Sequence, residues 1–236
     1  VQAPFQVATV AATELPQRTA YLAMHTDYSE DYVVDTPLDE AKCGEICVSR
    51  LLAGDRGHYG PLEHPQISLA IQADHNTMMQ LRTHRHITCD FQSLRYTGAR
   101  VVDVAEGKRL VEEVFYVRPP GNYRDRQGEV VAWTDDDVEE HLAICLSSAH
   151  DYKRLRDRGV PEEQARQVLV TTYFQCGLVS GSLRSWLHIL DMRLKPNAQY
   201  EIRQLMEMTL AQIKRWAPEV TGWWVNHRCG KARLAP

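Results

Sequence analysis

The chain changes character at Thr134, and that change limits the folds open to it. Before Thr134, short apolar alternations recur between loops. Phe5, Val7 and Val10 open the series over residues 5–12, and Ile67, Leu69 and Ile71 repeat it over 66–73. A period of two marks a half-buried strand. Residues 101–104, 113–117 and 129–133 read as further strands, with 119–128 a long turn between two of them. Two helices interrupt this half. One spans 37–52, with Asp39 and Glu40 in its first turn, an apolar stripe through Ile46 and Leu51, and Gly54 after it. The other is short, from Asn76 through Met78, Met79 and Leu81. After Thr134 the pattern turns helical: Thr134 caps an acidic first turn at Asp135–Asp137, and the helix runs to about 158. A short helix begins at Pro161, and longer ones cover 182–192 and 198–216 with a break at Pro196. Strands early and helices late predict an α+β fold, a mixed or antiparallel sheet with segregated helices. Its 236 residues suit a single domain over 1–236.

Composition narrows the function classes. With 25% charged residues, 44% hydrophobic residues and a net charge of −4, the chain is an ordinary globular one. A duplex-binding protein is usually basic, so nucleic acid is disfavoured as a partner. No apolar run approaches the ~20 residues that cross a bilayer. The start, Val-Gln-Ala-Pro-Phe-Gln-Val, lacks signal-peptide regions, and the reading is cytoplasmic. Val rather than Met stands first, so the natural start is left open. None of the six cysteines forms a C-x-x-C pair, and no metal site is expected. Cys43 and Cys47 share a helix face and read as packing residues.

Three segments carry candidate chemistry. The first runs from Gln80 to Tyr96 and gathers Arg82, Arg85, Arg95, His84 and His86 among Gln, Ser and Thr side chains. Arginine presents fixed forks of donors to phosphate, and hydroxyls and amides orient a bound ring. If Gln92–Tyr96 is extended, Ser93 and Arg95 point to one face as a phosphate cradle. A solvated turn with surface ion pairs stays open beside that reading. The second is the Gly57-His-Tyr-Gly-Pro-Leu-Glu-His64 loop. It suits a histidine stacked on an aromatic ligand better than a metal, and a structural turn is its plain alternative. The third places Arg184, His188 and Asp191, then Gln199 and Arg203, at roughly helical spacing. Such spacing walls a pocket or makes a salt-bridged face.

Together these segments resemble the flavin-dependent thymidylate synthases (ThyX). That family's Arg-His-Arg, seven residues, Ser-x-Arg-Tyr signature is similar to Thr83-His84-Arg85 followed by Ser93-Leu94-Arg95-Tyr96. Its Gly-His-x-x-Pro-Phe-Glu-His loop resembles Gly57–His64, and its late element resembles Met192-Arg193 and Ala198–Arg203. The order and separations also agree over most of the chain. The resemblance implies a ThyX-like homotetramer that binds FAD. It also implies methylene transfer from methylenetetrahydrofolate to C5 of a uridylate, with NADPH reducing the flavin. By that resemblance His58, Gly60, His84, Arg85, Asp191, Arg193 and Asn197 hold the cofactor. Gln80, Gln92, Ser93, Arg95 and Arg203 hold the nucleotide, with Ser93, Arg95 and Arg203 in the catalytic set. Asp191 stands where the family usually has Asn. Thr83 replaces the first Arg of the signature, Phe91 a usual Glu, and Phe174 and Gln175 lie where another Arg commonly serves the nucleotide. Those departures leave UMP and dUMP both open as substrates, with a strict dUMP thymidylate synthase and a non-catalytic flavin- and nucleotide-binding homologue as alternatives.

Overall fold

The computed structural model describes residues 5–54, 57–125 and 127–231. The first four residues, Asp55 and Arg56 of the glycine-rich loop, and Arg126 of the predicted long turn lie outside the described residues. The fold is α+β, as expected, with about three helical residues for each in a strand (53% and 18%). Four strands form one sheet in the order β1-β2-β6-β3: β1 is Gln6–Ala12, β2 Gln66–Asp74, β3 Ile87–Phe91 and β6 Phe174–Ser182. β4 (Gly121–Arg124) and β5 (Val130–Trp133) pair as an antiparallel hairpin, Gly121 opposite Trp133.

The chain divides into two compact units. The first comprises Gln72–Leu81 and Asp90–Gly177, with Phe5. Its core is Leu94, Val101, Val104, Val114, Phe115, Cys145, Ala149, Tyr152, Ala165 and Leu169. The long helix α6 (Asp135–Asp157) starts as the sequence predicts. Thr134 Oγ1 accepts from Asp137 N while Asp137 Oδ2 accepts from Thr134 N, a reciprocal cap.

Two strand expectations fail in this unit. Residues 101–104 belong to the helix α5 (Ala99–Ala105). Val101 and Val104, three apart, turn one face into the core beside Cys145, Ala149 and Tyr152 of α6, and that packing overrides the strand preference of valine. Residues 113–117 form one isolated antiparallel bridge, Phe115 to Tyr173, after a 3₁₀ turn over Val111–Glu113. Pro119 and Pro120 follow and remove donors that a longer ladder would need. Gly98 also has a steric reason: a Cβ there would lie 2.1 Å from the Tyr152 hydroxyl.

The second unit comprises Gln6–Ile71, Arg82–Cys89 and the chain from Leu178 on. Helices α1 (Pro16–Thr26) and α2 (Glu40–Cys47) pack together here. Gln17 is fully buried between polar partners: its Nε2 donates to Glu219 Oε2 at 2.6 Å and its Oε1 accepts from Val220 N at 3.0 Å. The helix predicted over 37–52 starts at Glu40, behind the Asp39 cap, and its last turn, Val48–Leu52, is π-helical. Cys43 and Cys47 are fully buried in it. Two of the late helices follow the sequence closely. In α8 (Leu183–Arg193), Leu183, Trp186, Leu187 and Leu190 form the buried stripe; in α9 (Tyr200–Trp216), Ile202, Leu205, Met206, Thr209 and Ile213 do. A further helix, α10 (Pro218–His227), closes the unit and buries Val220 and Trp224. α1, β3, β6 and α10 were not predicted as elements.

Candidate active site

Residues 83–86 form the turn between α3 (His75–Arg82) and β3, and Arg193 is the last residue of α8. The second unit brings them together. Arg193 Nε donates to His84 Nε2 at 2.9 Å, and its guanidinium also donates to Thr83 Oγ1 at 3.2 Å. Since His84 Nε2 accepts, its proton sits on Nδ1 and the ring is neutral. Burial pushes the His84 pKa down to about 4, and the Arg193 charge adds to that shift. Residues 109 positions apart in the sequence therefore converge on one hydrogen-bonded pair, with Thr83 as a third member.

The neighbouring glycine-rich loop is a second local site. Gly57 has φ of +74°, which an L side chain rarely adopts, whereas a Cβ on Gly60 would meet open space. The loop then closes into a 3₁₀ turn over Gly60–Glu63. Its anchor is Tyr59, buried, whose hydroxyl lies 3.3 Å from the Arg228 guanidinium; Arg228 also donates to Leu52 O at 2.8 Å. His58 stays half-exposed, and its Nε2 lies 2.8 Å from Asp27 Oδ2. Glu63 forms an ion pair with Arg184 of α8.

A cavity of about 400 Å³ lies in this unit, lined by Glu63, Gln66, His86, Ser182, Arg184, Ser185 and His188. The rings of His86 and His188 meet edge to face, 6.4 Å between centroids. Ser182 caps α8 and accepts from Ser185 N, so the cavity wall includes a helix start. Sequence spacing had singled out Arg184 and His188. Ser182, Ser185 and Gln66 were missed, although Ser-x-x-Ser before an apolar stripe is a readable cap signal. Asp191 is buried, 2% exposed, whereas Asn197 and Arg85 are exposed. Arg203 lies in the first turns of α9, and its Nε is buried without a hydrogen-bond partner.

Gln80, Gln92, Ser93 and Arg95 belong to the first unit. Here the extended reading of residues 92–96 is corrected. Ser93 is extended (φ −105°, ψ 129°) but caps a four-residue helix, α4 (Leu94–Thr97), and its hydroxyl accepts from Arg95 N at 3.3 Å. Ser93 and Arg95 therefore do not share a strand face; the cap hydrogen bond, favoured for serine, turns the backbone between them. Arg95 is half-exposed, with Nε 3.8 Å from Glu163 Oε2. Gln92 is tied to β6: Gln175 Nε2 donates to its carbonyl at 2.7 Å and Cys176 N donates to its Oε1 at 3.1 Å. Gln175, 5% exposed, also bonds His75 Nδ1 at 2.8 Å, and the His75 ring stacks on Tyr173. Gly177 explains why β6 comes so close: a Cβ there would lie 2.7 Å from Asp90 O.

Comparison with known proteins points to one family for the chain. The family model described as thymidylate synthase complementing protein matches residues 9–219. A flavin-dependent thymidylate synthase of Halobacterium salinarum is 34% identical over 98% of this chain and 100% of its own length. One from Haloarcula marismortui is 32% identical over 98% and 99%. The crystal structure of the UMP/dUMP methylase PolB from Streptomyces cacaoi, bound with 5-Br dUMP, superposes with a TM-score of 0.78 at 21% identity, covering 98% of this chain and 97% of that one; the likeness establishes the shared fold. With a matching model across most of its length and relatives above 30% identity end to end, the chain belongs to the flavin-dependent thymidylate synthase family.

Proposed function

We propose that this chain methylates C5 of a uridylate nucleotide, UMP or dUMP, with methylenetetrahydrofolate as carbon donor and NADPH-reduced FAD as hydride source. The observation that carries the reading is the end-to-end match to a flavin-dependent thymidylate synthase, at 34% identity over 98% of the chain. The same reading makes the working form a homotetramer in the cytoplasm.

The residues present fit a flavin dinucleotide. The cavity of about 400 Å³ falls in the ~300–1,000 Å³ range of small-molecule sites, and its walls supply hydroxyl, amide, imidazole and guanidinium donors. A buried Arg203 Nε without a partner is the kind of group a ligand oxygen satisfies. Bound FAD would supply the hydride that completes the methyl group. The protein's part is binding and orientation. Arg193 and His84 would hold the cofactor, with Arg85, Asp191 and Asn197 beside them in sequence and His58 and Gly60 from the loop. The His84 Nδ1–H, fixed by the bond at Nε2, offers a neutral donor without adding charge. For the nucleotide, Gln80, Gln92 and Ser93 would orient the ring and sugar, and Arg95 and Arg203 would meet phosphate, since guanidinium forks match phosphate geometry. Ser93, Arg95 and Arg203 are the proposed catalytic set, whose donors would stabilise charge that develops on the nucleotide.

The test is direct. Purified protein is loaded with FAD and incubated with NADPH, methylenetetrahydrofolate and either UMP or dUMP, and nucleotides are read by mass spectrometry. A flavin-dependent 5-methyl product from at least one nucleotide is expected. Tight nucleotide and flavin binding with no methylated product from either would favour a non-catalytic homologue. A product from dUMP alone would make it a strict thymidylate synthase.

A further inference from the structure

Arg100 sits in the first turn of α5 in the first unit, and it has no part in the roles assigned above. Its guanidinium is half-buried. One terminal nitrogen donates to the carbonyl of Phe174, at the start of β6, and its Nε is buried without a hydrogen-bond partner. Among the described residues no carboxylate pairs with it. Burial lowers the Arg100 pKa, and the groups nearest it electrostatically are Cys176, Tyr173 and the like-charged Arg109. A cation in this position is costly unless an anion answers it.

The surroundings say which anion. The stretch of β6 that Arg100 touches also ties down Gln92 of the proposed nucleotide set. Gln92 N donates to Cys176 O at 2.9 Å and Cys176 N donates back to Gln92 Oε1. Ser93 follows Gln92 directly, and Arg95 is two residues further on. Gln175 already commits one amide proton to Gln92 O and its oxygen to His75, and it carries no charge to offer a phosphate. The cationic group that reaches the start of this strand is Arg100, from α5, through the Phe174 carbonyl.

We propose that Arg100 is a phosphate-binding residue of this chain's nucleotide site, the accessible part of its guanidinium making charge-assisted hydrogen bonds to the 5′-phosphate. The inference rests on the uridylate reading above. It adds a specificity element: the phosphate contact favours a nucleotide over the matching nucleoside. A purely structural role, tying α5 to β6 through Phe174 O, makes no such distinction.

Calorimetric titration of the FAD-loaded enzyme with UMP, dUMP and uridine tests this. In Arg100→Gln the affinity for whichever nucleotide the wild type binds should fall about ten- to hundredfold, the range of a lost charged hydrogen bond, while uridine binding stays the same. Arg100→Lys keeps the charge but loses the fork, and should fall between the two. If Arg100→Gln does not fold, wild-type protein answers the question. Phenylglyoxal modification of Arg100, followed by peptide mass spectrometry, should be slowed by the nucleotide and not by uridine. Equal nucleotide affinity in wild type and Arg100→Gln, or equal labelling with nucleotide and uridine, would overturn the proposal alone. Failure of the wild type to bind UMP or dUMP at all would overturn the uridylate reading and this proposal with it.

Discussion

Arg193 and Arg100 show how differently the two units hold a cation. In the second unit Arg193 ends a helix, donates to His84 and Thr83, and lies beside a neutral imidazole. It is a finished arrangement: protein groups already answer the guanidinium. In the first unit Arg100 makes one bond to a carbonyl and leaves its Nε buried and unanswered. On the proposed reading, the first presents a fixed donor wall of a guanidinium and a neutral imidazole, and the second receives charge. That contrast is what the proposed ligands require. A cofactor held for the whole catalytic cycle suits a preassembled wall, and a substrate that must arrive and leave suits an incomplete one completed by its phosphate.

The largest expected effect breaks the second-unit arrangement. Arg193→Ala removes the donor to both His84 and Thr83, and FAD affinity should drop about a hundredfold, near the upper range for a charged hydrogen bond; flavin fluorescence quenching measures it. A drop of less than threefold would mean the pair does not serve the cofactor. Next is Gln175→Leu in the first unit, which strands the His75 Nδ1 and the Gln92 carbonyl in a buried setting. It should lower stability by about 1–3 kcal/mol, read by urea unfolding, and an unchanged midpoint would show the network to be solvated.

A smaller effect concerns protonation. His84 titrates near 4 in the folded state against an ordinary 6.5. Its folded pKa is depressed, so its contribution to stability is complete above about pH 6.5 and declines as pH falls toward 4. An NMR titration of the His84 ring should show this low midpoint in the wild type. In Arg193→Gln the midpoint should rise, though not fully to 6.5, because burial is the larger cause. A midpoint unmoved by the substitution would assign the whole depression to burial. The smallest effect separates the two loop glycines. Gly60→Ala should be within ~0.5 kcal/mol of wild type, since its Cβ meets open space, while Gly57→Ala should cost ~1 kcal/mol at its positive φ.

The late helices and the candidate site were unevenly legible in the sequence. Leu183, Trp186, Leu187 and Leu190 announce α8 by spacing alone, and Thr134 with Asp137 announces the start of α6, because caps and apolar stripes act locally. Val101 and Val104 misled, because β-branched valine favours strands, whereas their spacing of three puts both on one helix face, which packs on α6. β6 was hidden as well. Its sequence, Phe-Gln-Cys-Gly-Leu-Val-Ser-Gly-Ser, carries two glycines that weaken a strand signal, and the reason for both lies elsewhere in the chain: Asp90 and Phe91 against Gly177, Ile87 and Trp186 against Gly181. In the site, motif spacing singled out His84 and Arg193 separately, but only the fold joins them. Arg100 carried no motif at all. Its significance comes from burial and from an unanswered nitrogen, which a sequence does not display.

The central claim is that cofactor and nucleotide are held by separable residues, and crossed titrations test it most directly. FAD and the preferred uridylate are each titrated into Arg193→Ala and Arg95→Ala. The account predicts a crossed result: Arg193→Ala loses FAD affinity, and Arg95→Ala, with an unchanged melting temperature, loses nucleotide affinity about tenfold or more while binding FAD as the wild type does. Equal loss of both ligands in both variants, accompanied by lower melting temperatures, would contradict it and make both arginines structural.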